Sequence, residues 1–439
     1  MIKKIVLSAF ATLFIFNINA NAAQEASQNI KDREHSIRGI IDNVSKPDEK
    51  EVSTVDRAKH VFKDSTISGQ ARVLYSGYNS NEAQNQYATA IGGILKYELA
   101  EYKGFNAAME VTAAQDINFA TGDDTKQNSE ISSEKGSYIE LSQAYINYKN
   151  DGLNLRAGRQ LIDTPLADSD DIRMILNTFE AYIATYENEG LMLTGGLLTK
   201  WQGVDTELSP SNHWSDTGDD GTYFGGISYS TKFLDTRVWY YDISKDTNPN
   251  SATGNVANSS LYADISLHLA ISQNYAIHAN AQYLNQKESH DSAIDSSIYG
   301  VMAEFVIFED FAISAAYNKS KREADKRSFS GFGGGTLYTN MDSMIIDAIT
   351  ADRDAKAIVM GITYRIGKFG FMYAYGDFDG DANSLQAKEH IIEQNLGFEY
   401  KANENLTIAA IYVKNSDKEN SGSNDGDWEN IRVFASYSF

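Results

Sequence analysis

Apolar and polar residues alternate in the segment 430–439. Phe434 departs from the pattern, and the apolar positions at every second residue are Ile431, Val433, Ala435, Tyr437 and Phe439. A period of two predicts a β-strand with one apolar face and one polar face. Because the chain stops on Phe439, we expect lipid rather than protein to cover the apolar face. The alternative is an ordinary edge strand at the end of a soluble sandwich.

The same alternation begins near Thr66 and recurs along the chain. Ile67, Val73 and Tyr75 share one face of the first segment, while Gln70 and Arg72 share the other. Similar segments lie near residues 91–99, 105–113, 191–201, 261–269, 275–283, 369–375 and 406–412. The segment 138–149 fits neither parity, which indicates a β-bulge.

Short and long connections alternate between these segments. The short ones are near residues 100–102, 150–151, 187–188, 233–234, 272–273, 308–309, 366–367 and 402–403, and each is flanked by longer polar stretches. Tight periplasmic turns alternating with long outer loops are typical of an up-and-down transmembrane β-barrel. The count is about eighteen strands. The predicted fold is therefore an all-β, antiparallel transmembrane barrel of a size that encloses an aqueous channel.

The N-terminal segment reads as an export signal. Lys3 and Lys4 precede an apolar run at residues 5–16, and the small residues 20–22 follow it. This pattern predicts a signal peptide over residues 1–22. Residues 23–64 are charged and poor in aromatics, so we expect a periplasmic extension, with a plug in the lumen as the alternative. The barrel is expected over residues 65–439.

Composition narrows the choice of function. The chain has no cysteine, 26 Tyr, 20 Phe and a formal net charge of −22, and its mean hydropathy is −0.40. The polar average suits a porin, because lipid faces only half of each strand. So acidic a chain argues against nucleic acid as a partner. Most of the surplus acidic residues are assigned to solvated loops. A further interpretation is that these residues bind divalent cations that bridge to lipopolysaccharide.

Several short motifs resemble the OprD family of outer-membrane porins. They are Gly158-Arg-Gln160, Thr164-Pro165, Asp171-Ile-Arg173 and Asn177-Thr-Phe179, with weaker matches at 62–65 and 333–338. The resemblance covers about residues 62–439. It implies an eighteen-stranded channel in the bacterial outer membrane that takes up small, often carboxylate-bearing nutrients. Two departures are Leu176, where family members commonly have Pro, and the acidic excess.

A pore selects by its width and by the charges at its narrowest point. The loop 163–177 is expected to fold inward and to supply Asp168, Asp170, Asp171 and Arg173, with Arg173 either paired to a carboxylate or contacting solute. The largest loop, 322–354, is expected to pack against the inward loop, with the segment Ser343-Met-Ile-Ile346 as its anchor in the constriction. Strand parity predicts further lumen cations, and in the resembled family such a basic ladder guides carboxylates. The cations are Arg72, Arg156, Lys200 and Arg432, with Arg159 added on the resemblance alone. The alternative is that they pair with Glu98, Glu110, Glu304 or Glu399 of the wall.

Catalytic, metal and cofactor chemistry finds little support. The segment 331–335 lacks the Lys-Ser/Thr of a phosphate loop, and 216–221 lacks the ligand spacing of a calcium loop. His268 and His278 face inward on neighbouring strands, but without a third ligand we interpret them as hydrogen-bonded wall residues. We expect no enzyme activity, no cofactor and no metal.

Two functions remain from the sequence. One is a passive diffusion channel that prefers certain small hydrophilic solutes, with a general ion-conducting pore as its less selective form. The other is a structural or adhesive barrel with a blocked lumen. The expected partners are outer-membrane lipid, lipopolysaccharide, the barrel assembly machinery and small solutes. Whether barrels stay monomeric or form a homotrimer is open.

Overall fold

A computed structural model describes most of the chain beyond residue 60. The described residues are 61–81, 85–117, 137–169, 173–174, 176–203, 206, 214–333, 335–346, 353–382, 388–419 and 426–439. The expected signal peptide and nearly all of the expected extension lie outside them. Within these ranges, no helix is long and apolar enough to cross a membrane.

Strands make up almost all of the regular structure. In chain order they are β1 Thr66–Ser80, β2 Gln86–Glu98, β3 Phe105–Ile117, β4 Ser137–Asn150, β5 Leu153–Gln160, β6 Asp163–Thr164, β7 Ala167–Asp168, β8 Thr178–Asn188, β9 Leu191–Gln202, β10 Ser215–Asp216, β11 Thr222–Ser230, β12 Leu234–Ile243, β13 Asn258–Ala270, β14 Tyr275–Glu288, β15 Ser296–Ile307, β16 Phe311–Arg322, β17 Ala355–Ile366, β18 Phe369–Gly380, β19 Glu389–Lys401, β20 Leu406–Asp417 and β21 Trp428–Ser438. The three two-residue strands β6, β7 and β10 belong to loops.

The eighteen long strands form one closed antiparallel barrel, as the sequence predicts. Each long strand pairs with the next long strand along the chain, and β1 pairs with β21 to close the ring. The closing register runs from Gln70 opposite Ser438 to Ser80 opposite Trp428. Closure leaves no unpaired sheet edge, which is the condition for strands to cross lipid.

The two faces of the barrel differ in chemistry. Outward positions carry exposed large apolar side chains, among them Ile67, Val73, Leu95, Val301 and Ile362. Exposed aromatic residues cluster outward near the short turns, among them Phe105, Tyr186, Phe233, Phe308 and Phe369. Alternate positions facing inward are mostly polar or small. An apolar exterior with aromatic residues at its rim is the surface that a transmembrane barrel presents to lipid.

The tight turns explain the short connections. Paired residues with positive φ occupy the turns at Lys103–Gly104, Asp151–Gly152 and Glu189–Gly190. Two successive residues with positive φ are characteristic of a type I′ turn, whose twist matches that of the two antiparallel strands it connects. Glycine adopts positive φ without strain. We call this end of the barrel the turn end and the opposite one the loop end.

Two bulges reset the parity of the wall. In β4, the register with β3 shifts at Ser142, so Tyr138 and Glu140 face inward before the shift, and Tyr145 and Asn147 face inward after it. The bulge predicted for this segment is therefore confirmed. A second shift leaves Thr199 of β9 without an opposite residue in the register with β8. Its consequence falls on Lys200, as described below.

Two loops fold into the barrel. The described parts of the hairpin loop (161–177) and of the long loop (323–354) pack against inward side chains of β8, β9 and β11–β19 in one buried apolar cluster. A second cluster places Met174 of the hairpin loop against inward residues of β1–β4, β20 and β21. Phe434, which breaks the alternation of β21, belongs to this cluster. Strand alternation places position 434 on the inward face, and Met174 of the hairpin loop gives the aromatic ring apolar contact there.

Candidate channel constriction

The hairpin loop is a small two-stranded turn. Asp163 lies opposite Asp168, and Thr164 lies opposite Ala167. The hydroxyl of Ser169 accepts a hydrogen bond from the amide of Ile162 at 3.0 Å. The pKa of Asp168 is raised to about 7, mainly by burial and to a smaller extent by the nearby carboxylate of Asp163. The predicted constriction loop thus does fold inward, and it carries a carboxyl group whose charge changes near neutral pH.

The long loop extends this hairpin. The amide of Phe332 donates to the carbonyl of Leu166 at 2.9 Å, and the amide of Asp168 donates to the carbonyl of Phe332 at 3.1 Å. The side-chain amide of Asn177 donates to the carbonyl of Gly333 at 2.9 Å. The two loops therefore form one unit inside the barrel. This unit accounts for the packing expected between them.

The far end of the long loop is bound to the wall by two buried carboxylates. Arg432 of β21 forms an ion pair with Asp342, and the two side chains are 3 % and 7 % exposed. Glu393 of β19 accepts hydrogen bonds from the amide of Ser343 at 3.2 Å and from the amide of Met344 at 2.8 Å. The hydroxyl of Ser343 also donates to Glu393. Ser343 therefore attaches the long loop to the wall through Glu393, and Arg432 attaches it through Asp342.

Arg72 contacts the hairpin loop in the same manner. Its guanidinium donates to the backbone carbonyl of Arg173 and, at 3.0 Å, to the hydroxyl of Ser436. It also lies 5.8 Å from the centre of the Phe434 ring. The prediction that Arg72 faces inward agrees with its burial. These contacts tie β1 and β21 to the backbone of the inward loop.

Arg156 lies on the inner wall closer to the turn end than Arg72 does. Its guanidinium carbon is 4.4 Å from the centre of the Tyr145 ring, and its Nε donates to Asn147 at 3.2 Å. Lys96 approaches the same ring at 5.5 Å and pairs with Glu98 at 2.8 Å. Arg156 is therefore an inward cation without a carboxylate partner among the described residues.

The remaining two predicted cations lie at the loop end on the other face. Past the bulge at Thr199, Trp201 joins the interior cluster, so alternation puts Lys200 on the opposite face. There Lys200 is 3.6 Å from Asp216, and Arg159 is 3.7 Å from Glu180 and 4.4 Å from the Trp214 ring. The prediction that Lys200 faces inward assumed unbroken alternation, and the bulge removes that assumption. Arg159 keeps the outward parity that the sequence indicated.

Two predicted acids, Asp170 and Asp171, lie outside the described residues. Among the glutamates considered as wall partners for the cations, Glu98 pairs with Lys96, Glu304 with His278 and Glu399 with Lys401. Glu110 accepts hydrogen bonds from Ser142 and Gln143 at 2.8 and 2.6 Å. None of these contacts involves Arg72, Arg156 or Arg432, which instead contact a loop or an aromatic ring.

Two further arginines that were not among the predicted cations also face inward. Arg237 of β12 forms an ion pair with Asp264 of β13, whose carboxylate also accepts from Tyr262 at 2.9 Å. Arg365 of β17 is exposed at the turn end, and its side chain has no ion pair among the described residues. The signal for both was available, because each lies at an inward position of an alternating segment.

Comparison with solved structures identifies the fold. OccAB2 of Acinetobacter baumannii matches with a TM-score of 0.73 at 14% identity, over 87% of this chain and 99% of its own. OccAB4 of the same organism has a TM-score of 0.71 at 14% identity, over 85% and 98%. Pseudomonas aeruginosa OpdQ has a TM-score of 0.69 at 16% identity, over 87% and 99%. These proteins are porins of the OprD, or Occ, family.

The chain has the fold of these porins. The likeness covers nearly the full length of each, so the resemblance that the sequence motifs indicated is confirmed at the level of the fold. No protein-family model and no curated protein matches the chain.

Proposed function

We propose that this protein is an outer-membrane channel through which small hydrophilic solutes diffuse passively. The observation that carries the proposal is the joined unit of two loops inside a closed barrel with polar inward faces. An apolar exterior suits lipid, and a barrel of this size encloses an aqueous lumen. The porins with the same fold are channels and not enzymes, which supports a non-enzymatic role here.

A preference for carboxylate-bearing solutes is the finer part of the proposal. Its support is the pair Arg156 and Arg365, which face inward and form no ion pair among the described residues; Arg365 interacts electrostatically with Glu399 of β19. They lie on β5 and β17, which are nine strands apart in the closed order of eighteen and so on opposite sides of the lumen. A guanidinium binds a carboxylate through two parallel hydrogen bonds. Arg72 and Arg432 are instead assigned to holding the loops.

The test is single-channel conductance of the purified protein in a planar bilayer, followed by the addition of small carboxylates as blockers. We expect stable conductance that particular carboxylates interrupt, with weaker block in Arg156→Ala and Arg365→Ala. Arg159→Ala is the control, because Arg159 faces away from the lumen. A folded barrel that never conducts would overturn the channel proposal.

A general pore that prefers cations is the second candidate. It is favoured by the carboxyl groups of Asp163 and Asp168 in the hairpin loop and by the net charge of −22. Conductance with a cation preference and without carboxylate block would select this candidate. Binding to lipopolysaccharide and to the barrel assembly machinery stays a prediction, as does the formation of a homotrimer.

A further inference from the structure

Four titratable side chains form a row across neighbouring strands on the inner wall. They are Asp235 on β12, His268 on β13, His278 on β14 and Glu304 on β15. Nε2 of His268 lies 2.7 Å from Asp235, and Nδ1 of His278 lies 3.0 Å from Glu304. The two histidines are directly opposite each other in the register of β13 and β14, and their ring centres are 5.0 Å apart.

We propose that His268 and His278 form a binding site for a divalent transition-metal ion on the lumen wall. Imidazole is a preferred ligand of zinc, copper and nickel ions. Among the described residues, no group of three or more metal-ligating side chains forms a candidate site. The protein would thus supply two ligands, and water or a passing solute would supply the others.

The carboxylates prepare both imidazoles for this role. A metal-bound histidine almost always donates its other ring N–H to a carboxylate, carbonyl or water, which fixes the tautomer and the ring orientation. Asp235 and Glu304 each accept from one ring nitrogen here. A neutral imidazole that donates from that nitrogen carries a lone pair on the other, namely Nδ1 of His268 and Nε2 of His278.

The separation of the rings fits a shared metal ion. With a metal–nitrogen distance of about 2.05 Å and a tetrahedral angle, two imidazole centres bound to one ion lie about 5.2 Å apart. At right angles, as in an octahedral complex, the same distances place them about 4.5 Å apart. The observed 5.0 Å lies between these values. The side chains of the two histidines are 23 % and 19 % exposed, so an ion in the lumen can reach them.

Charge favours a cation at this position. The side chain of Glu304 is 2 % exposed and lies 3.0 Å from His278, and among the described residues it forms no ion pair with a lysine or an arginine. A buried carboxylate is costly without a positive partner. A metal ion bound to His278 supplies positive charge next to Glu304 without protonation of the imidazole. The competing explanation is an edge-to-face ring contact that binds no ion.

The test is titration of the tag-free, detergent-folded barrel with NiCl₂ in an isothermal calorimeter. We expect one nickel ion per barrel and a loss of at least about tenfold in affinity in His268→Asn and in His278→Asn, because each removes one of two ligands. Glu304→Gln should weaken binding by about 10–100-fold, the usual effect of removing a carboxylate behind a ligating histidine. Because the readout is binding, failure here is separate from failure of the channel proposal.

His390→Asn is the matched control. His390 lies 3.1 Å from Asp377 and is therefore a carboxylate-paired imidazole without a second imidazole partner among the described residues. Its replacement should leave nickel affinity unchanged. If an Asn variant does not show heat-modifiable folding, the corresponding Gln variant replaces it. Absence of nickel binding to the folded wild-type barrel, or binding that survives both histidine substitutions, would overturn the site.

Discussion

Replacing Arg432 with methionine tests whether this residue holds the long loop or guides solute. The substitution removes the ion pair with Asp342 while keeping an unbranched side chain in the wall. Both partners are almost fully buried, and loss of one partner of a buried pair costs about 3–5 kcal/mol. This energy corresponds to a factor of about 10²–10⁴ in a local opening equilibrium.

The effect should be confined to the far end of the loop. There the hydrogen bonds of Ser343 and Met344 to Glu393 remain after the substitution, and the contact of Phe332 with Leu166 holds the near end. We therefore expect frequent excursions to a higher conductance level rather than permanent loss of the constriction. The assay is single-channel recording in a planar bilayer, with folding checked by heat-modifiable migration.

Asp342→Ala separates the two roles of Arg432. If the pair holds the loop, Asp342→Ala and Arg432→Met should produce similar excursions, and the double variant should add little to either. If Arg432 guides anions, only Arg432→Met should weaken carboxylate block, and the conductance level should stay constant. The second pattern would refute our assignment of Arg432 as a loop contact.

Three further predictions concern the loops and the lumen charge. Because the pKa of Asp168 is raised to about 7, the inserted loop should lose stability as pH rises from about 4, the ordinary aspartate value, to about 7. Cation preference in reversal-potential measurements should rise as pH passes 7, and Asp168→Asn should abolish this rise. Gly331→Ala should increase conductance noise, because Gly331 has a φ of +123° and an added Cβ would lie 2.8 Å from the backbone of Leu166. Gly367→Ala is the control, because a Cβ added at Gly367 would have no atom within 4 Å. Arg365→Ala should lower anion permeability in a salt gradient, and an unchanged reversal potential would contradict its role at the turn end.

The bulges show where reasoning from sequence reached its limit. The alternation of β1 was enough to place Arg72 inward, and the irregular pattern of 138–149 was enough to predict a bulge. The bulge at Thr199 left no comparable signal, because small and apolar residues precede it on both faces of β9. One unpaired residue reverses the side of every residue after it, and this reversal moved Lys200 away from the lumen.

Periodicity by itself determined the barrel, the number of strands and the face of most residues. These properties follow from the local period of two and from the spacing of the turns, both of which can be counted in the sequence. Only the tertiary structure decided what the inward cations bind. Arg72 contacts a residue 101 positions away, and Arg432 contacts one 90 positions away. Such contacts arise when loops fold back into a closed lumen, and no local pattern encodes which wall residue a loop will meet.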